Sequence, residues 1–138
     1  MASAHEATGP LILVVDDETH VLNEVAATLV KGGYACHCCL TVESAVRYTQ
    51  SSTPNLIISD INLGGQSGLE MCERIKEATA PSPVSVMFLS GSQIPDIIRR
   101  SHSVGGAYYL RKPFDPNVLL ELVAKAIETR PLVSHHAE

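Results

Sequence analysis

Five side chains that suit phosphoryl chemistry stand at the ends of apolar stretches in this 138-residue sequence; they are Asp16, Asp17, Asp60, Ser90 and Lys112. Three carboxylates brought together repel one another, and burial would raise their pKa values unless a cation lies among them. Mg²⁺ fits such a group because it binds one or two carboxylates and keeps water positions that phosphate oxygens can take. The sequence therefore predicts a Mg²⁺ site, with Mn²⁺ as the alternative metal.

Asp60 is the residue that we expect to react. Its carboxylate can act as a nucleophile toward a phosphoryl group, whose transfer depends mainly on positioning and on neutralising charge at the equatorial oxygens. The cation would neutralise one oxygen, Lys112 a second, and the hydroxyl of Ser90 would donate a hydrogen bond to the third. Any of these residues alone is more often a solvated surface group, so the prediction depends on their joint presence.

Five apolar segments can bring these side chains to one edge of a sheet. Residues 11–15 and 56–60 are continuous apolar runs, which are typical of strands buried on both faces of a parallel sheet. Residues 34–40, 84–89 and 107–110 predict three more strands. Helical stripes or caps follow each strand, at 21–30, 42–50, 67–78, from Pro95 and from Pro116. This alternation predicts a doubly wound α/β fold with a parallel sheet and five helices.

Composition limits the class of protein. The chain is long enough for one domain with its own core, and 45% hydrophobic residues are ordinary for a soluble protein. A net charge of −5 argues against a nucleic-acid footprint, and no tract is long enough to span a membrane. We expect a disordered tail at residues 1–10, a domain at 11–130 and a second tail at 131–138. The N-terminus does not resemble a signal peptide, so the predicted location is cytoplasmic.

Three of the four cysteines lie within four positions of one predicted strand, at Cys36, Cys38 and Cys39. Neighbours on a strand point to opposite faces, so these residues form no natural disulfide ladder. With His37 they also lack the paired, spaced ligands of a structural zinc site. Reduced thiols that pack in a strand are the favoured interpretation, and metal binding is the alternative.

Four pieces of sequence together resemble the receiver domain of two-component response regulators, from about residue 11 to residue 127. They are the segments 14–18, 58–63 with Gly68, the strand that ends in Ser90, and 109–114. Thirty residues separate Asp60 from Ser90 and fifty-two separate it from Lys112, and the order and spacing make the signal specific. The resemblance implies a flavodoxin-like, five-stranded parallel sheet in the order 2-1-3-4-5.

The resemblance also implies a role for each site residue. Asp60 is expected to be the phosphoacceptor, and Lys112, followed by a cis-proline at Pro113, is expected to bind the phosphate. Asp17 would bind Mg²⁺ directly, Asp16 through water, and Asn62 through its backbone carbonyl. Ser90 and Tyr109 would form the switch pair that responds to phosphorylation. One departure from the family pattern is Gly64, which stands where many receivers have proline and predicts a looser loop.

The expected partners are a histidine kinase or a histidine phosphotransfer protein, and an effector that reads the face of the fourth helix, fifth strand and fifth helix. The resemblance implies a signalling switch rather than an enzyme with turnover, one that assists its own phosphorylation and dephosphorylation. A monomer or a phosphorylation-linked dimer is expected, with no output domain on this chain. Two alternatives stay open: an interaction module that works without phosphorylation, and a small Mg²⁺-dependent phosphohydrolase.

Overall fold

Strands and helices alternate along the chain as predicted. The computed structural model describes residues 9–91 and 107–128. The elements of these ranges are β1 (Leu11–Val15), α1 (Thr19–Lys31), β2 (Ala35–Cys39), α2 (Val42–Tyr48), β3 (Leu56–Asp60), β4 (Asn62–Leu63), β5 (Gln66–Ser67), α3 (Gly68–Thr79), β6 (Ser85–Ser90), β7 (Tyr108–Arg111) and α4 (Pro116–Glu128).

Five of the strands form a parallel sheet in the order β2-β1-β3-β6-β7. This is the predicted order, because β6 and β7 are the fourth and fifth strands of that sheet. All five carboxyl ends therefore lie at the same edge. This edge therefore brings together the segments that follow β1 and β7 and the last residues of β3 and β6.

The core lies on both faces of the sheet, because successive side chains of a strand point to opposite sides. Along β1, Ile12 and Val14 pack with the buried residues of α1 and α4. Leu13 and Val15 pack on the other face with residues of α2 and α3. All four are at most 1% exposed, which explains why this strand is a continuous apolar run rather than an alternating one.

Side-chain caps fix where the helices begin. Ser67 Oγ accepts a hydrogen bond from the Glu70 amide (3.1 Å) and begins α3, as the capping pattern predicts. Asp115 Oδ1 accepts a hydrogen bond from the Asn117 amide (2.7 Å) before α4. Gly33, with a φ of +90°, ends α1 in a conformation that favours glycine.

The loop after Asp60 is a short hairpin. β4 and β5 pair antiparallel through a two-residue turn at Gly64 and Gly65, whose φ values are +62° and +93°. Two consecutive positive φ values are typical of a tight hairpin turn that glycine adopts at low cost. Asn62 Oδ1 accepts a hydrogen bond from the Gly65 amide (3.0 Å) and closes the turn. The looser loop that Gly64 predicted is therefore not what the structure shows.

Several predictions fall outside the described residues. They are most of the first tail, the helix that begins near Pro95 with Ile97, Ile98 and Val104, and the second tail at 131–138. Within the described ranges, no helix is both long enough and apolar enough to cross a membrane.

Candidate functional site

The predicted site residues meet at the carboxyl edge of the sheet. One oxygen from each of Asp16, Asp17 and Asp60 lies within 4.8 Å of the others. An open cleft of about 500 Å³ lies beside them, and Asp60, Ser90 and Lys112 are among its lining residues. The sequence therefore predicted correctly that these groups converge.

Asp16 is the buried member of the acidic group, with 0% exposure. Its Oδ1 accepts a hydrogen bond from the Glu18 amide (2.9 Å). Its Oδ2 lies 2.9 Å from Lys112 Nζ but has no hydrogen-bond partner, because the contact has the distance of an ion pair without hydrogen-bond alignment. Burial raises the pKa of Asp16, although the Lys112 ammonium and the Glu18 amide oppose this effect.

Lys112 is the cation of the site. Its Nζ lies 2.8 Å from Asp60 Oδ2, 2.9 Å from Asp16 Oδ2 and 3.3 Å from Glu18 Oε1. Burial alone would lower the pKa of Lys112, but the hydrogen bond to Asp60 and the negative charges of Asp60 and Asp16 outweigh it and raise that pKa. Lys112 therefore stays charged and neutralises the acidic group.

The backbone places Lys112 from two sides. Its amide donates a hydrogen bond to the carbonyl of Ser90 (2.7 Å), which joins the end of β6 to the residue that follows β7. The Lys112–Pro113 peptide bond is cis, as the resemblance implied. Lys112 and Ser90 are thus held at neighbouring points of the cleft.

Asp60 is only partly buried, with its side chain 16% exposed. Oδ1 accepts a hydrogen bond from the Asn62 amide (3.0 Å), and Oδ2 accepts one from Lys112 Nζ (2.8 Å). A carboxylate held in this way is oriented by its neighbours and still reachable from the cleft.

Residues 12–124 match the family model described as the response regulator receiver domain. The chain belongs to this family.

Known proteins of the family show how the match is distributed. The phosphate regulon transcriptional regulatory protein PhoB of Pseudomonas aeruginosa is 34% identical over 85% of this chain and 50% of its own length. The transcriptional regulatory protein YvrH of Bacillus subtilis is 32% identical over 83% of this chain and 46% of its own length. The chain thus spans about half the length of these relatives.

A solved structure supports the same fold. The chemotaxis response regulator CheY4 of Vibrio cholerae superposes with a TM-score of 0.74 at 26% identity, covering 86% of this chain and 99% of that one. The resemblance to receiver domains of two-component response regulators, and the flavodoxin-like fold that it implied, are therefore confirmed.

The two predicted switch residues of the receiver domain lie on neighbouring strands, Ser90 at the end of β6 and Tyr109 in β7. Ser90 is 6% exposed and lines the cleft. Tyr109 packs against the core on the α2–α3 face, where its ring lies 5.9 Å from that of Phe88. Burial raises the pKa of Tyr109, so its hydroxyl stays protonated at neutral pH.

The acidic group of the receiver domain fits a hard divalent cation. Oxygen ligands suit Mg²⁺, and the buried Asp16 Oδ2 has no hydrogen-bond partner that an ion would have to displace. Asp17 is exposed at the cleft and leaves room for water in the coordination shell. An incoming cation would have to share the carboxylates of Asp16 and Asp60 with Lys112.

Two residues that contact the site residues were not assigned a role from sequence. Glu18 is a third partner of Lys112, and the only signal for it is that it follows Asp16 and Asp17 directly. Gly68 lies so close to the backbone of Asp60 that a Cβ would collide with the Asp60 carbonyl oxygen. Its amide donates a hydrogen bond to the Ile61 carbonyl (2.7 Å), which ties the start of α3 to the end of β3.

The replacement Gly68→Ala should destabilise the receiver domain by about 2 kcal/mol, because an added methyl in a packed contact forces the backbone to shift. Urea denaturation measures this change. Gly91→Ala is the matched control, since a Cβ at Gly91 meets no atom within 4 Å. Equal stabilities of the two variants would contradict the close contact.

Proposed function

We propose that Asp60 accepts a phosphoryl group from a histidine kinase or a histidine phosphotransfer protein. The observation that carries this proposal is the Asp60 carboxylate held 2.8 Å from Lys112 Nζ in an open cleft, beside Asp16 and Asp17. Bound Mg²⁺ would supply positive charge for the phosphoryl oxygens, held by Asp16, Asp17, Asp60 and the backbone carbonyl of Asn62. Mn²⁺ suits the same oxygen ligands.

The transfer step follows from the geometry of Asp60. An Asp60 oxygen attacks the phosphorus of a phosphohistidine, a new O–P bond forms, and the N–P bond breaks. The electron pair of the broken N–P bond stays on the imidazole nitrogen, which can then take up a proton. The Lys112 ammonium moves from the Asp60 carboxylate to a phosphoryl oxygen. The negative charge of the phosphoryl group then takes the place of the carboxylate charge that Lys112 neutralises before the transfer. The Ser90 hydroxyl lines the same cleft and would donate to another oxygen.

Phosphorylation would then change the surface that a partner reads. A phosphoryl group adds charge and acceptor oxygens, which can bias an element with two arrangements. Ser90 moving toward the phosphate, with Tyr109 turning inward, is the proposed change. The effector would bind the face formed by the fourth helix of the family fold, β7 and α4.

The remaining parts of the proposal concern the protein as a whole. It acts as a cytoplasmic signalling switch that assists its own phosphorylation and dephosphorylation, rather than as an enzyme with turnover. It needs no nucleic acid or membrane insertion for this role. A monomer, or a dimer formed on phosphorylation, is the proposed assembly.

Incubation with acetyl phosphate and Mg²⁺ should add one phosphate per chain, and Asp60→Asn should abolish this addition because the amide is not a nucleophile. Intact mass spectrometry measures the phosphate. Glu77→Gln is the control, since Glu77 is an exposed acid on α3 outside the cleft. An unmodified wild-type protein, or a phosphate that persists in Asp60→Asn, would overturn the proposal.

A further inference from the structure

The edge strand β2 carries three cysteines, all of them free. Cys36 and Cys38 are two positions apart, so their side chains leave the same face of the strand. Cys36 packs partly against the α1–α4 side of the core, and Cys38 is exposed. Cys39 points to the opposite face, where it is buried. Two thiols therefore lie on one face of the strand at the edge of the sheet that the described residues form.

The ionisation of the two thiols is linked, because they lie two positions apart on one face of β2. Interaction with the Cys38 thiol lowers the pKa of Cys36 to about 7, whereas interaction with Cys36 together with burial raises the pKa of Cys38. About half of the Cys36 side chains are therefore thiolates at pH 7. Such a pair can bind a thiophilic cation once its remaining protons are released, since thiolates are the ligands that such metals need.

A disulfide between Cys36 and Cys38 does not suit the strand. Alternate residues of a parallel strand are about 6.6 Å apart along it, at a rise of about 3.3 Å per residue. Their side chains leave the same face side by side, so their Cβ atoms are about as far apart as their Cα atoms, whereas a disulfide needs a Cβ separation of about 3.5–4.5 Å. Oxidation would have to bend β2 away from its pairing with β1. An ion that bridges two separate sulfurs needs no such distortion.

No third ligand converges on the pair among the described residues, where the acidic group at the cleft is the one set of three or more potential ligands found. His37 leaves the other face of β2 and stacks on Tyr48, with ring centroids 3.8 Å apart and planes within 4°. A structural zinc site needs four ligands, which this pair does not supply. Soft thiolate ligands instead select Cu(I) among common biological metals.

We propose that Cys36 and Cys38 form a two-sulfur site for a soft monovalent cation of the Cu(I) class on the edge strand β2. The ion takes one bond from each sulfur, and the protons that the two thiols still hold are released to solvent. No electron is transferred in this step. The site is separate from the acidic cleft, and so its existence does not depend on the phosphoacceptor role of Asp60.

The test is an anaerobic competition for Cu(I) between the full chain and bicinchoninate. We expect one tightly held Cu(I) per chain. Cys36→Ser and Cys38→Ser should each weaken the affinity by about 100-fold, because the second sulfur of a chelate acts at a high effective concentration. Cys39→Ala and His37→Ala are matched controls on the opposite face, and they should leave the affinity unchanged. Circular dichroism checks that each variant is folded.

A second measurement separates the proposed geometry from other modes of binding. Copper X-ray absorption on the loaded protein should show two sulfur neighbours and no nitrogen, and size-exclusion chromatography should show no copper-dependent dimer. Weaker binding in His37→Ala, unchanged binding in both cysteine variants, or a copper-bridged dimer would overturn the site. Asp60→Asn should bind copper like the wild type, so this experiment fails or succeeds independently of phosphorylation.

Discussion

Replacing Lys112 by methionine should lower the free energy of unfolding by about 3 kcal/mol at pH 7 in EDTA. Lys112 Nζ lies 2.9 Å from Asp16 and 2.8 Å from Asp60, and Asp16 is fully buried. Removing one partner of a buried ion pair leaves the other charge desolvated without compensation, which costs far more than losing a surface pair. Urea denaturation followed by circular dichroism measures the difference. Lys31→Met, at the exposed end of α1, is the control and should change stability by less than about 1 kcal/mol.

A second substitution tests the cause of this loss. In the Asp16→Asn/Lys112→Met double variant no buried charge remains unpaired at position 16, so we expect most of the lost stability to return. The stability that Lys112 contributes should also depend on pH. Because the pKa of Lys112 is raised above its ordinary 10.5, its contribution is fully present below pH 10.5 and is lost as the pH rises through the folded-state pKa. No recovery in the double variant would show that packing, not charge, explains the loss.

The Lys112→Met variant should also accept phosphate more slowly than the wild type. Loss of one preorganised cation that stabilises charge in a transition state typically costs about 100-fold in rate. The rate of phosphate addition from acetyl phosphate, measured where the variant is still folded, reports this effect separately from stability. A variant that is destabilised but phosphorylated at the wild-type rate would remove Lys112 from the proposed chemistry.

Much of the fold could be predicted from sequence because its strands have an unambiguous pattern. The stretch from Leu56 to Ile58 is buried with 0% exposure at each residue, and only a strand covered on both faces needs a continuous apolar run. Once the sheet is parallel, the residues after its strands must meet at one edge. The convergence of Asp16, Asp60 and Lys112 therefore follows from strand ends and needs no knowledge of the side-chain packing.

Other features depend on geometry that sequence patterns do not carry. Gly64 suggested a loose loop because glycine lacks a Cβ, but Gly64 and Gly65 take positive φ values together and make a tight turn that Asn62 closes. A loose loop at Gly64 and Gly65 would favour the alternative of an interaction module that works without phosphorylation, and the tight hairpin does not support it. The contact of Gly68 with the Asp60 backbone likewise depends on how α3 meets β3, which local sequence does not specify.

Mg²⁺ should stabilise the folded protein, and this effect should fade as the pH is lowered. An ion that binds only the folded state adds about 2.7 kcal/mol at a concentration about 100 times its Kd. The pKa of Asp16 is raised above its ordinary 3.8, so its proton binds the folded state more tightly than the unfolded state. Ionised Asp16 therefore costs stability at neutral pH without metal, and this cost is relieved as the pH falls through the raised pKa.

Protons and Mg²⁺ then compete for Asp16, and the competition begins at a higher pH than it would for an ordinary aspartate. Thermal unfolding with Mg²⁺ and with EDTA, from about pH 8 to about pH 5, measures the stabilisation at each pH. We expect it to shrink steadily toward the acid end in the wild type and to be small throughout in Asp16→Asn. Asp17→Asn should weaken Mg²⁺ binding too, but it retains the buried Asp16 as the site of proton competition. Stabilisation that is equal at both ends of the range would show that the buried carboxylate does not take part in holding the ion.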